Sequence, residues 1–266
     1  MNYPKISVVI PSYNQGNFIE ATLQSVLSQQ YPNLELLVID GGSTDNTLDI
    51  IKAHESGLTY WVSEPDHGQT DALIKGFRQA QGDIWCWLNS DDLHTPHTLR
   101  EVADAFTNFP DMDAIYGNAT WINTEGQPLR EQREIPFNRF IWLYTHNYIP
   151  GMSMFWKREL YELSGGLNPA YDLAMDADLW IRFSHFGQIH HVPSIWSYMR
   201  FYPDQKNRRL RTQSDMEDIQ IRKRYWGRER PRFYSLKKSI AQTWRVSWKL
   251  LTGCYPYGYV RYLERQ

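Results

Sequence analysis

The chain has 266 residues, of which 42% are apolar and 22% charged, with a net charge of −2. This is the balance of a soluble globular protein and excludes a disordered chain, while the lack of any apolar run of about 18 residues excludes a spanning helix. The charge is unevenly spread: residues 1–204 carry 12 Lys and Arg against 25 Asp and Glu, and residues 205–266 carry 16 against 5, so an acidic body precedes a basic tail.

"ISVVI" at 6–10 is an unbroken β-branched run, as a buried parallel strand requires. Asn17 is placed to cap a helix, with Glu20 three positions on and Phe18, Leu23, Val26 and Leu27 at helical spacing. "LELLVID" at 34–40 is a second strand ending at Asp40, and "GGSTDNT" turns into a helix through Leu48 and Ile51. A third strand is expected over 58–64, a helix over "QTDALIKGFRQA", and a fourth strand over 83–89. Thr95-Pro96 reads as a cap followed by Pro at the first helical position.

Four alternations of strand and helix define an α/β layer fold with a mostly parallel central sheet flanked by helices and right-handed crossovers. In such sheets ligands bind beyond the carboxyl ends of the strands. The polar clusters lie at those ends: "PSYN", "DGGSTD", "SEPDHG" and "NSDD". Beyond 110 the pattern is weaker. One or two strands are expected in "MDAIYGNATWIN", a strand at 153–156, a short helix stopped by Gly165-Gly166, an amphipathic helix at 178–186, and strands in "IHHV" and "IWSYMRF".

Cys86 lies inside an apolar strand and Cys254 has no partner spacing, so neither a disulfide framework nor a zinc site is expected. "MNYPKISVVIPSYN" lacks a charged leader followed by an apolar core, so a secretory signal is not expected. Together these point to a reducing, cytoplasmic setting.

Asp91 and Asp92 are adjacent carboxylates at a strand end. They suit a hard cation, Mg²⁺ or Mn²⁺, shared with substrate phosphates, or a ribose. The alternative is that they cap the next helix; the convergence of four polar strand ends favours the ligand site. Neither the G-x-G-x-x-G fingerprint nor a P-loop is present, so phosphate charge must be met in another way.

The ordered segments "VVIPSYNQGNFIEATLQSVLSQQYPNLELLVIDGGSTDNT", "SEPDHGQTDALIKGFRQAQGDIWCWLNSDD", "GMSMFWKRELYELSGGLNP" and "MDADLWIRF" resemble the family 2 glycosyltransferases with the GT-A fold. The resemblance spans about residues 5–206. It implies a GT-A domain over 1–205, followed by a basic, helical, aromatic-rich segment over 206–266. It implies an inverting transferase that moves a sugar from a nucleotide-diphospho-sugar to a hydroxyl of a glycan or lipid-linked acceptor. Pro11, Tyr13 and Asn14 would lie against the nucleotide, Asp40 would hydrogen-bond the base, and Asp66 would lie on the nucleotide side. Asp91 would face the ribose and the cation, and Asp92 would ligate the cation. Asn89 replaces the first acid of that motif and removes one charge. Asp40 leans towards uridine or thymidine, whose rings offer the same N–H, without excluding guanine.

In "MDADLW" the resemblance makes Asp176 the general base, with Met175 replacing the family's Glu. A base is needed because a sugar hydroxyl is a poor nucleophile. Asp178, directly before the apolar face of its helix, is given a capping or positioning role. "YMRFYPDQKN" resembles the family's loop over the diphosphate, with Tyr202 at the His position and Gln205 and Lys206 retained. His190 and His191 precede this loop and read more readily as strand-edge residues than as replacements for that His. Ile74 replaces an Asn common in relatives.

In the tail, Leu236, Ile240, Trp244, Trp248 and Leu251 share a helical face, with Lys237, Arg245 and Lys249 elsewhere. Two readings stand: the aromatic face packs on the body and shows its charge to water, or the segment binds an anionic membrane surface at the inner face of the cell membrane. Nucleic acid is not expected, because the body is acidic and carries no recognition motif. A non-catalytic nucleotide-sugar or glycan-binding protein is the competing function, favoured by Met175 and Tyr202 and opposed by Asp176.

Overall fold

Every residue of β1 (Ile6–Ser12) is buried, because the strand is covered on both faces. It pairs in parallel with β2 (Leu34–Asp40) on one side and β4 (Ile84–Trp87) on the other, and β3 (Tyr60–Ser63) extends β2. The computed structural model describes residues 3–254. Three helices connect these strands: α1 (Ile19–Leu27), α2 (Thr47–Ala53) and α3 (Gln69–Gln79). α3 lies so close to the sheet that a Cβ on Gly76 would sit 2.3 Å from Val9 Cγ1.

Two helix starts differ from the sequence expectation. α1 begins after Phe18 with no side-chain cap, and the Gln15 carbonyl accepts from the Phe18 and Ile19 N–H groups instead of Asn17 capping them. β5 (Leu93–His94) precedes α4 (Thr98–Asn108). Pro96 stays outside α4 because Thr95 is drawn to the neighbouring strand, its hydroxyl 2.8 Å from the Ile195 carbonyl.

The second half makes the sheet mixed. β6 (Ala114–Ile122) carries the hairpin strand β7 (Pro128–Gln132), and β8 (Met154–Lys157) inserts antiparallel between β4 and β6. β9 (Ile189–Arg200) fuses the two expected strands into one, parallel to β6 and antiparallel to β5, with register shifts near Pro193. Pro cannot donate to a ladder, which accounts for an irregularity there. The order among the described residues is β3-β2-β1-β4-β8-β6-β9-β5, with β7 paired to β6.

Five further helices pack around this sheet: α5 (Arg139–Tyr144), α6 (Arg158–Leu163), α7 (Met175–Phe186), α8 (Lys206–Arg209) and α9 (Arg211–Trp226). Trp87 stacks on Trp180 at 5.1 Å and Trp156 lies against both, so much of the tryptophan content is core under the strand ends.

The last described helix, α10 (Tyr234–Leu251), corrects the expected orientation of the tail. Its basic face points inward. Arg245 Nη2 lies 2.8 Å and Lys249 Nζ 2.9 Å from the carboxylate of Glu134, which is buried. A buried carboxylate is tolerated only when paired. Glu134 therefore turns the helix so that Leu236, Ile240, Trp244 and Leu251 face outward. α9 is likewise anchored: Ile221 is fully buried, and the Arg222 guanidinium lies 4.4 Å over Trp142. Of the basic segment 231–265, residues 255 onward lie outside the described residues.

Candidate active site

The loops after β1 and β2 are stitched together. Asn14 adopts the left-handed conformation (φ 51), which Asn tolerates better than most residues. Its Oδ1 accepts from Thr44 N–H (2.9 Å), and its own N–H donates to Ser43 Oγ (2.7 Å). Pro11 is buried beneath, while Tyr13 is 59% exposed at the rim.

Asp40 is committed to its own turn. Its carboxylate is 0% exposed and accepts from Gly42 N, Ser43 N, Ser43 Oγ and Ser63 Oγ. Three of the four donors are on Oδ2 and one is on Oδ1, so the turn fixes the carboxylate at the end of β2. Asp66 is the more open acid at this edge. One oxygen accepts from Gly68 N–H at 2.8 Å, and the other lies against Gly41, where a Cβ would come within 2.7 Å of it. Burial pushes its pKa above the usual carboxylate range.

At the end of β4, Asp91 and Asp92 are both buried. Asp92 Oδ1 accepts from the Arg200 backbone N–H (2.7 Å), and Oδ2 accepts from Asn89 Nδ2 (3.2 Å). Asp91 Oδ2 accepts from the Tyr202 hydroxyl (2.8 Å), with the Gln205 amide beside it. Burial raises both acids, and the charge of Asp91 raises Asp92 further. The Arg200 guanidinium does not ion-pair with them. It donates to the carbonyls of Asp91, Asn123 and Thr124 and latches this corner to the β6–β7 turn. Asn89 explains its own departure from the motif: its amide accepts from Gln69 (2.7 Å) while donating to Asp92, and a carboxylate cannot do both.

Two adjacent buried carboxylates, with the Arg200 guanidinium near but bonded to backbone carbonyls, fit a hard cation. Among the described residues no cluster of three His, Cys, Asp or Glu could hold a metal. The fit is therefore to a shared site completed by substrate phosphates, and not to an all-protein cage.

Asp176 lies in the first turn of α7. Its Oδ2 accepts from Asn147 Nδ2 (2.8 Å) and its Oδ1 from Ala177 N–H (2.7 Å). Burial, aided by the charge of Asp218, pushes it up to about 6 despite these donors. Gly151 faces it, and the next residue, Met152, touches the Asn89 N–H, so one short turn links Asp176 to the acid corner. Asp178 does not cap α7. It is fully buried and ion-paired with Arg182 at 2.6 Å. Met175 is buried and accepts from the Thr70 hydroxyl, a place unsuited to a carboxylate.

Lys206 is held by Asp172 (2.6 Å), and Gln205 Nε2 donates to the Arg200 carbonyl (3.0 Å), so neither extends freely to a phosphate. His191 bonds Asn118 within the sheet, and His190 stacks on Phe109, well along β9 from Tyr202. Sequence reasoning missed Gln69, Asn147, Asp172 and Glu217. Asp172 also accepts from Thr70 N–H, and Glu217 from three N–H groups ahead of α7. Gln69 lies in a quoted segment, 20 positions from its partner Asn89; the other three lie outside the motifs, and their partners come from distant segments.

A half-parallel sheet with acids at its carboxyl edge, a second acid on a helix start and helices on its faces is the GT-A glycosyltransferase arrangement. Residues 7–164 match the model of glycosyl transferase family 2, and the chain belongs to that family. It is 28% identical over 214 residues to an uncharacterised glycosyltransferase of Rickettsia conorii, covering 77% of this chain and 35% of the relative. It is 28% identical to one of Mycobacterium tuberculosis, covering 67% and 68%, and 27% identical to the chondroitin synthase of Escherichia coli, covering 72% and 28%. The chain thus spans about a third of the length of the Rickettsia relative. Its fold is similar to that of S. aureus TarS 1–349 in complex with UDP (TM-score 0.67, 19% identity, 94% of this chain and 74% of that one). It is also similar to the mannosyltransferase PcManGT of Pyrobaculum calidifontis with GDP-Man and Mn²⁺ (TM-score 0.64, 18% identity, 99% and 79%).

Proposed function

We propose that the protein is an inverting, cation-assisted transferase in which Asp176 is the general base. The observation that carries this reading is the Asp176 carboxylate itself: oriented by Asn147, raised to about 6, and facing Gly151, whose neighbour Met152 touches Asn89 in the acid corner. A carboxylate of that basicity takes the acceptor hydroxyl's proton as its oxygen attacks the anomeric carbon. The leaving nucleoside diphosphate departs from the opposite face, and one displacement through an oxocarbenium-like state inverts the configuration.

Asp91 and Asp92 would hold Mg²⁺ or Mn²⁺, which supplies charge stabilisation to the departing diphosphate. Asp91 is the better direct ligand, because movable side chains hold it, whereas Asp92 is tied to a backbone N–H. This reverses the order expected from sequence. Asp66, with an oxygen at the edge of the β2 turn, takes the base-facing role expected of Asp40, and Tyr13 offers an exposed ring at the rim. A uridine or thymidine donor fits a carboxylate acceptor, and the acceptor substrate is a glycan or lipid-linked hydroxyl.

The test is nucleotide release from UDP-, dTDP- and GDP-sugars with Mg²⁺ or Mn²⁺, in parallel with thermal shift. A ligand at 100 times its Kd adds about 2.7 kcal/mol of apparent stability. Stabilisation by a donor without transfer to any acceptor would favour the non-catalytic alternative.

A further inference from the structure

We propose that the outward face of α10 docks on a bilayer containing anionic lipids. Leu236, Ile240, Trp244 and Leu251 form one stripe along the helix and are 59%, 48%, 45% and 88% exposed. Fifteen residues separate the first from the last, about 22 Å of helix. Leu250 widens the stripe at its end. The helix cannot roll to hide these residues, because on the other face Ala241 is fully buried and Arg245 and Lys249 are ion-paired with Glu134 of the body.

Charge selects the occupant. Arg230, Arg232 and Lys238 are exposed at the start of the helix, on a chain whose first 204 residues carry 25 acids against 12 bases. An anionic surface is attracted to this edge and repelled by the rest of the molecule. A second copy would bring the same cations, and an uncharged apolar partner would leave them without counter-charge. The stripe is a straight helix surface with basic residues at one end and Trp244 within it, as an interfacial helix requires. Among the described residues no helix is long and apolar enough to cross a membrane, so the helix lies on the surface.

The docking face adjoins the acceptor side of the site. Lys237 Nζ lies 5.5 Å over the ring of Tyr144, and Trp244 packs near Phe140, both on α5. Tyr144 is three residues before Asn147, at most about 11 Å of chain, and Asn147 holds Asp176. A docked enzyme presents its general base to a lipid-linked hydroxyl. The docking surface itself does not depend on the assignment of the base.

The experiment is co-sedimentation of the full chain with phosphatidylcholine vesicles and with vesicles containing phosphatidylglycerol, at low and high salt. Binding to the anionic vesicles alone, weakened by salt, is expected. Leu236→Ser/Ile240→Ser/Trp244→Ser should lower the partition coefficient by about tenfold or more. Its circular dichroism and its donor affinity in solution should be unchanged. Arg230→Gln/Arg232→Gln/Lys238→Gln should lower binding to anionic vesicles without touching the stripe. Three outcomes would overturn the proposal: no binding to anionic vesicles at low salt, equal binding by the stripe variant, or a dimer in solution that the stripe variant abolishes while vesicles are ignored.

Discussion

Glu217 Oε2 lies 2.9 Å from the backbone N–H of Ala174, two residues before Asp176. The same oxygen accepts from Leu173 (2.9 Å) and Asp172 (3.2 Å). A tail side chain thus serves as the cap that α7 does not supply for itself. Glu217→Leu leaves these buried donors unsatisfied and should cost about 2–3 kcal/mol of stability in urea unfolding. Glu217→Gln, which keeps an acceptor, should fold near normally. Its kcat should fall about tenfold while the KM for donor stays constant, because α7 carries the base and not the nucleotide loops. An unchanged kcat would reduce Glu217 to a structural cap.

Asp176→Asn keeps the shape of the side chain and removes its basicity. Transfer should fall by about 10² or more with donor affinity unchanged. Retained activity in this variant, together with a dead Asp178→Asn, would move the base to the wrong carboxylate for this reading. Asp178 is fully buried against Arg182, and its loss should appear first as instability.

The raised pKa of Asp176 sets a pH dependence of two kinds. Activity should fall below about pH 6, as the base takes up a proton. Stability has the opposite sign. The folded pKa exceeds the ordinary value of 3.8, so the neutral form is favoured on folding. Stability is lost as pH rises from about 4 through 6, and the full penalty is present above 6. Asp176→Asn should therefore be more stable than the parent by about 1–3 kcal/mol at pH 8 and about equal to it at pH 4. Thermal melts at both values check this.

Asp91→Ala and Asp92→Ala should differ. Asp91→Ala should abolish the Mn²⁺-dependent part of nucleoside diphosphate affinity, measured by calorimetry, and leave the melting temperature nearly unchanged. Asp92→Ala also releases the Arg200 backbone and should lower both. Equal losses of affinity with no change in melting would mean that both acids serve the ligand alone.

Lys249→Met removes one of the two cations on Glu134. Breaking a buried pair costs about 3–5 kcal/mol when the partner charge is stranded. Arg245 remains, so the loss should lie at or below the lower end. Glu134→Gln should cost more than Lys249→Met, since it strands both cations. Urea midpoints compare the two.

The half of the sheet that builds the acid corner was legible because its strands are unbroken apolar runs and its acids sit where those runs stop. β1, β2 and β4 follow their sequence ranges to within a few residues. The insertion of β8 between β4 and β6 was not legible: four residues carry no record of which strands they join. The hydrogen-bond settings of Asp40 and Asp92 were not legible, for a local reason. A motif names an acid but not the N–H groups that close on it, and in both cases backbone donors do. The tail's orientation was hidden differently. Periodicity shows that a helix has two faces, but the residue that selects the inner one, Glu134, lies 111 and 115 positions from its partners.

That separation bears on how the chain is made. During synthesis the body emerges first, with Glu134 uncompensated and the N–H groups of Asp172, Leu173 and Ala174 uncapped. Their partners, Arg245, Lys249 and Glu217, leave the ribosome later. At about 5–20 residues per second, several seconds pass in which α7 has no cap and Glu134 lacks the two cations of α10. The nascent body stays incomplete until α9 and α10 dock.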